Sequence, residues 1–97
     1  MALKPDPLLP LDALADPTRR EILRVLRKGP LAAGEIADAF DLARPTLSHH
    51  FRILAEAGLV ESQRLGTRII YSLRTATLEK VANELISVAR GAARGRA

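Results

Sequence analysis

Two helix-period apolar stripes stand only three residues apart in the middle of this chain. Residues 32–40 bring Ile36, Ala37 and Phe40 to one side of a predicted helix. Residues 44–57 do the same with Leu47, His50, Phe51 and Leu54, at i, i+3, i+4 and i+7. Between them lie Asp41, Leu42 and Ala43 alone. Two helices joined by so short a turn form the helix-turn-helix pattern, and the rest of the chain must complete a core around that pair.

The flanking segments supply the remaining elements. Pro10 opens a short predicted helix over residues 10–15, carrying Leu11 and Leu14. Asp16-Pro17 marks a helix start, because Asp accepts from exposed N–H groups and Pro suits the first helical position. That helix is expected to run to residue 28, with Ile22, Leu23, Val25 and Leu26 as its stripe, and Gly29-Pro30 ends it. After Gly58, residues 59–64 read as a strand, Leu65-Gly66-Thr67 as a three-residue turn and residues 68–73 as the return strand. Ile69, Tyr71 and Leu73 share one face. Ile70 breaks the alternation, which implies cover from outside the hairpin. Thr75 is the expected cap of a last helix over residues 76–90, with Leu78, Val81, Ala82, Leu85, Ile86 and Ala89 as its stripe. Residues 1–9 are expected to be extended, and residues 91–97, with Arg94 and Arg96, to be a disordered basic tail. With no internal repeat and no linker, the 97 residues read as one domain.

Composition agrees with a mainly α fold of about five helices and a two-stranded β-hairpin. Leu and Ala, strong helix formers, number 16 each, while Phe, Tyr and Trp together number three. The absence of Cys excludes disulfides, thiolate metal sites and Cys nucleophiles. His49 and His50 are the only histidines. As helix neighbours they diverge by about 100° and cannot share a metal ion. No apolar run reaches the roughly 18 residues of a membrane span, and Pro5, Asp6, Pro7, Pro10 and Asp12 interrupt any signal-peptide core, so a cytoplasmic protein is expected. The net charge of +4 is lopsided: residues 1–43 hold six basic and seven acidic groups, residues 44–97 nine and four. Twelve of the 15 basic residues are Arg, suited to bidentate recognition of phosphates and base edges.

That excess has definite addresses. Opposite the apolar stripe of the 44–57 helix, Pro45, Ser48, His49 and Arg52 share a face flanked by Arg44 and Thr46, without an acid until Glu56. Short donors such as Ser48 and His49 can reach bases when the N-terminal half of a helix enters a major groove. Arg44 can pair with a guanine or grip a phosphate, Thr46 offers a hydroxyl and a methyl, and Arg52 suits phosphate. Arg64 and Arg68 flank the hairpin tip, placed for backbone or a narrow minor groove. The expected partner is double-stranded DNA. The apolar positions at both ends (Leu11 and Leu14; Leu78, Val81, Ala82, Leu85, Ile86 and Ala89) exceed what so small a domain can cover, which points to a second copy of the chain. Ser48-His49-His50 names a nucleophile and a base. Yet helix neighbours diverge, no carboxylate on that face can orient an imidazole, and no Gly-rich phosphate cradle exists. No enzyme, cofactor or metal site is expected.

Three helices followed by an Arg-flanked hairpin is the order of a winged helix-turn-helix. The segments ALADPTRREILRVLRKG, GEIADAF, RPTLSHHFRILAEAGLV and RLGTRIIYSL, covering about residues 11–74, resemble the ArsR/SmtB family of bacterial transcriptional repressors. The resemblance implies a homodimer joined through the first and last helices (10–15 and 76–90), with residues 16–74 as the DNA-binding core. It also implies a two-fold symmetric operator, with helix 44–57 in the major groove and hairpin 60–73 as the wing. Metal-sensing members carry a Cys-x-Cys pair where this chain has Ala32 and Gly34. Others use Asp, His and Glu on the last helix, where this chain has only Glu79 and Glu84. Ala43 stands where the family often has a capping Ser, and Phe51 where it usually has Leu. The chain thus resembles the metal-independent, autorepressor-like branch. The alternatives are an effector-responsive sensor, for a metal or a small molecule, and a winged-helix module for protein interaction.

Overall fold

The computed structural model describes residues 8–94. Along it run α1 (Leu11–Leu14), α2 (Pro17–Leu26), β1 (Leu31–Ala32), α3 (Ala33–Phe40), α4 (Arg44–Glu56), β2 (Val60–Leu65), β3 (Arg68–Leu73) and α5 (Thr75–Arg94). Asp16 and Pro17 start α2 as their chemistry requires: Asp16 Oδ2 accepts the backbone N–H of Arg19 at 3.0 Å, and Pro17 is the first helical residue. Mainly that bond, and secondarily the Arg19 charge, holds the Asp16 carboxyl below its ordinary value of 3.8. Gly29, at φ 143°, follows the helix, which closes two residues earlier than expected.

Helix α1 is a single turn, too short to persist alone. Its terminal carbonyls are taken by two arginines of α2. Arg19 donates to Ala13 O at 2.7 Å and Asp12 O at 3.3 Å, and Arg20 donates to Leu14 O at 2.7 Å. Ala13 is buried beneath this arrangement, whereas Leu14 is half-buried and Leu11 exposed.

The two central helices meet as their stripes predict. Ile36 and Ala37 of α3 face Leu47, Phe51 and Leu54 of α4 in one core, completed by Ile22, Leu23, Leu26, Leu59 and Val60. Asp41 turns the chain between them at φ 50°, a left-handed conformation that Asp tolerates better than most residues. Among the described residues no polar or charged side chain is buried. The aliphatic core has one aromatic contact, where Phe51 of α4 stacks on Tyr71 of β3 with centroids 3.8 Å apart and planes 7° from parallel. The family-atypical Phe51 is therefore more than added core volume: it joins a helix to the sheet. Burial at this contact pushes the Tyr71 phenol pKa up.

The sheet differs from the expected two-stranded hairpin. It has three antiparallel strands in the order β1-β3-β2, with Leu31 opposite Tyr71 and Ala32 opposite Ile70. Strand β3 is central, which accounts for the apolar Ile70 that broke the alternation. The hairpin loop is also tighter than expected. Leu65 pairs with Arg68, leaving only Gly66-Thr67. Gly66 takes φ 64°, which suits the first central position of a type II′ turn, a turn whose twist matches that of the strands.

Thr75 is the first residue of α5 rather than its cap, and the helix runs through Gly91 to Arg94 where a disordered tail was expected. A single Gly followed by Ala92, Ala93 and Arg94, all strong helix formers, costs only about 1 kcal/mol and does not end it. The expected extended segment largely lies outside the described residues, as do residues 95–97 with Arg96. Among the described side chains of α5, only Val81 is buried. The radius of gyration is 15.9 Å, against about 12–13 Å for a compact chain of this length.

Replacing Leu54, which has no exposed surface, by Ala should destabilise the domain by about 2–5 kcal/mol, read by denaturant unfolding. The depressed Asp16 pKa makes its contribution fully present above the unfolded value of 3.8, and lost as pH falls through the folded one. The melting temperature of the wild type should thus exceed that of Asp16→Ala near neutral pH, with the gap narrowing below about pH 4.

Candidate nucleic-acid interface

Burying Leu47, Phe51 and Leu54 turns the other side of α4 outward. Arg44, Pro45, Thr46, Ser48, His49 and Arg52 are all exposed there, so the structure places the six together on one open face. Ala43, which precedes α4, makes no side-chain cap bond, and the first turn holds no acid. The positive end of the helix is consequently not neutralised by its own side chains.

Two arginine contacts reach the histidines. Arg52 Nη2 donates to His49 Nδ1 at 3.1 Å. Because a guanidinium can only donate, Nδ1 is the acceptor and the neutral ring carries its proton on Nε2, a donor for base acceptors such as guanine N7 or O6. His50 lies half-buried toward the core, as its place in the apolar stripe predicts, and its Nδ1 accepts from Arg19 Nη1 at 3.4 Å. Arg19 thus touches α1 and α4 from α2. Nothing in its sequence position signals this, since its partners are backbone carbonyls and a residue 31 positions away.

Both wing arginines are exposed, but they do not point the same way. Arg64 is opposite Ile69 and Arg68 opposite Leu65. Cross-strand partners share a face and neighbours alternate, so the two side chains leave the hairpin from opposite faces. Arg68 reaches back to Glu35 at the start of α3, at 3.3 Å. The space between is a cleft of about 370 Å³, with Gly34, Glu35 and Arg44 on one side and Thr67, Arg68 and Ile69 on the other. A Cβ on Gly34 would lie 3.6 Å from Arg44 Nη2, so the guanidinium rests over the first turn of α3. Sequence reasoning missed Glu35 and Thr67. A Glu three residues after Ala32, the start of the predicted helix, was the available signal.

The apolar ends form a second, separate surface. On α5, Leu85 and Ile86 are 46% and 47% exposed, and Val88, outside the expected set, is 58% exposed. Ala82 and Ala89 are also exposed, whereas Val81 is buried within the protomer and Leu78 packs against its core. Leu11 and half-buried Leu14 lie on α1. No helix among the described residues is long and apolar enough to cross a membrane.

Comparison with known proteins agrees with this architecture. Residues 14–63 match the profile of a helix-turn-helix domain. The transcriptional repressor SdpR of Bacillus subtilis (strain 168) is 41% identical over 75 residues, which cover 77% of this chain and 83% of that protein. The arsenical resistance operon repressor of Staphylococcus xylosus is 36% identical over 75 residues, 77% of this chain and 72% of that one. A crystal structure of an ArsR family transcriptional regulator superposes with a TM-score of 0.81 at 31% identity, covering 93% of this chain and 94% of that one. The chain belongs to the ArsR family of winged helix-turn-helix transcriptional repressors.

Proposed function

We propose that this protein represses transcription as a cytoplasmic homodimer that reads a two-fold symmetric operator in double-stranded DNA. In this reading α4 lies in the major groove and the β2–β3 hairpin is the wing. One observation carries it: the outer face of α4, from Arg44 to Arg52, is exposed, free of acids of its own and lined with short donors. Ser48 and His49 read base edges, Arg44 and Thr46 contact bases or backbone, Pro45 shapes the first turn, and Arg52, Arg64 and Arg68 hold phosphates. The work is recognition rather than catalysis. Ala32 and Gly34 offer no ligating atoms at the start of α3, which supports repression that does not depend on metal there.

The second copy covers α1 and α5. Residues 10–15 and 76–90 form the interface and residues 16–74 the DNA-binding core, with Leu85 and Ile86 contributing most because they are large and uncovered in the protomer.

Selection from a random DNA library should enrich an inverted repeat. With six to ten phosphate contacts, affinity for that duplex should fall roughly 10³–10⁵-fold between about 50 and 200 mM salt. Arg64→Ala should weaken all duplexes alike, whereas Ser48→Ala or His49→Ala should relax sequence preference. Unchanged discrimination in both Ser48→Ala and His49→Ala would remove the base-reading role. Binding without salt dependence, or capture of an acidic protein in place of DNA, would favour a protein-interaction module. The Leu85→Glu/Ile86→Glu variant should sediment as a monomer at micromolar concentration and lose about 10²–10⁴-fold in operator affinity, the avidity of two linked half-sites.

A further inference from the structure

One oxygen of Glu35 serves two donors. Oε1 accepts the backbone N–H of Ala32 at 3.1 Å and a guanidinium N–H of Arg68 at 3.3 Å. The first bond is the returning half of a capping box; Ala32 has no side-chain acceptor to supply the other half. It fixes the carboxylate at the start of α3 independently of the wing. The second bond crosses the cleft. Its reach is set by the sheet, because Ala32 pairs with Ile70, two residues from Arg68, and Arg68 itself pairs with Leu65. Both partners are therefore anchored by backbone before their side chains meet.

The Arg68 and Glu35 side chains are 63% and 55% exposed, so the pair adds little to folding stability. Its effect falls on what Arg68 can do next. Arg44 and Arg68 face the cleft with two positive charges, and Glu35 sets one negative charge against them. A phosphate approaching the wing must take Arg68 from a carboxylate already bound to it, and meets that carboxylate as a like charge.

We propose that Glu35 is an acidic latch on the wing: it engages Arg68 in the free protein and is exchanged for a DNA phosphate on binding. The latch rests on the DNA-binding reading above and adds a residue that opposes binding. Because phosphate contacts carry no sequence information, it lowers affinity for every duplex alike. An acid beside the DNA-facing surface is in this way a device for keeping a basic repressor from excessive general attachment.

The test uses the full chain, the selected operator duplex and a scrambled duplex of equal length. Glu35→Gln removes the charge but keeps an oxygen for the Ala32 N–H, so the melting temperature should hold. Affinity for both duplexes should rise roughly threefold to tenfold at low salt, and the logarithmic salt slope should steepen by up to about 0.9 as Arg68 becomes wholly available to phosphate. In an Arg68→Ala background the gain should shrink to the part owed to the like charge alone, while in Arg64→Ala, whose side chain leaves the other face, it should persist in full. An equal gain with and without Arg68 would overturn the latch, as would no gain for Glu35→Gln when the wild type binds its operator. A wild type that binds neither duplex would overturn the DNA-binding reading, and the latch with it.

Discussion

The stack of Phe51 on Tyr71 fixes the relation between α4 and β3, the two elements proposed to meet DNA. Helix α4 and strand β3 come from different parts of the chain, and a purely aliphatic contact would let them slide with little change in buried area. Flat rings 3.8 Å apart and nearly parallel define both distance and orientation. Around them the core is aliphatic and without buried polar side chains among the described residues, so its cohesion comes from burial while its angles come from this contact and the β1–β3 ladder. The wing inherits its position from the same place, since β3 is both the stacked strand and the return arm of the hairpin.

A second link joins α4 to α1. Arg19 closes α1 through two backbone carbonyls, and its own backbone N–H is held by the α2 cap. The remaining reach of the guanidinium goes to His50. His50 sits beside His49 on α4, so one side chain of α2 connects the short helix at the proposed interface to the helix proposed to read DNA. The four residues of α1 make too few internal hydrogen bonds to be helical alone; their order is borrowed from the arginines of α2.

What could be read from sequence were the features with local causes. Asp16-Pro17, the three-residue link at Asp41 and the two faces of α4 depend on capping, turn chemistry and helical period, and all lie within a few residues of their cause. What could not be read depended on partners far along the chain. Strand β1 has two residues, too few for any periodicity, and exists because β3 offers it a ladder; the only trace in the sequence was the apolar Ile70. The hairpin loop was misjudged by one residue because Leu65 reads equally well as loop or strand, and cross-strand pairing decides. That same register separates Arg64 from Arg68, which sequence spacing could not reveal. Glu35 looked like an ordinary residue of a helical first turn until the sheet brought Arg68 across to it.

The proportions of α5 follow from the same surface economy. A core of aliphatic side chains in a domain this size has room for one face of each surrounding helix, and α2, α3 and α4 use it. A twenty-residue helix placed last finds cover mainly at its beginning, where Leu78 and Val81 pack, and then runs past the core with Leu85, Ile86 and Val88 in the open. Those side chains are too large and too close together to be a neutral surface for a lone protomer. The helix continues through Gly91 to Arg94, and in the proposed dimer a second copy covers the apolar residues that precede it. The proposed dimer is thus a consequence of how little of α5 the protomer can bury, and the spacing of two reading helices on DNA would follow from the length of that uncovered face.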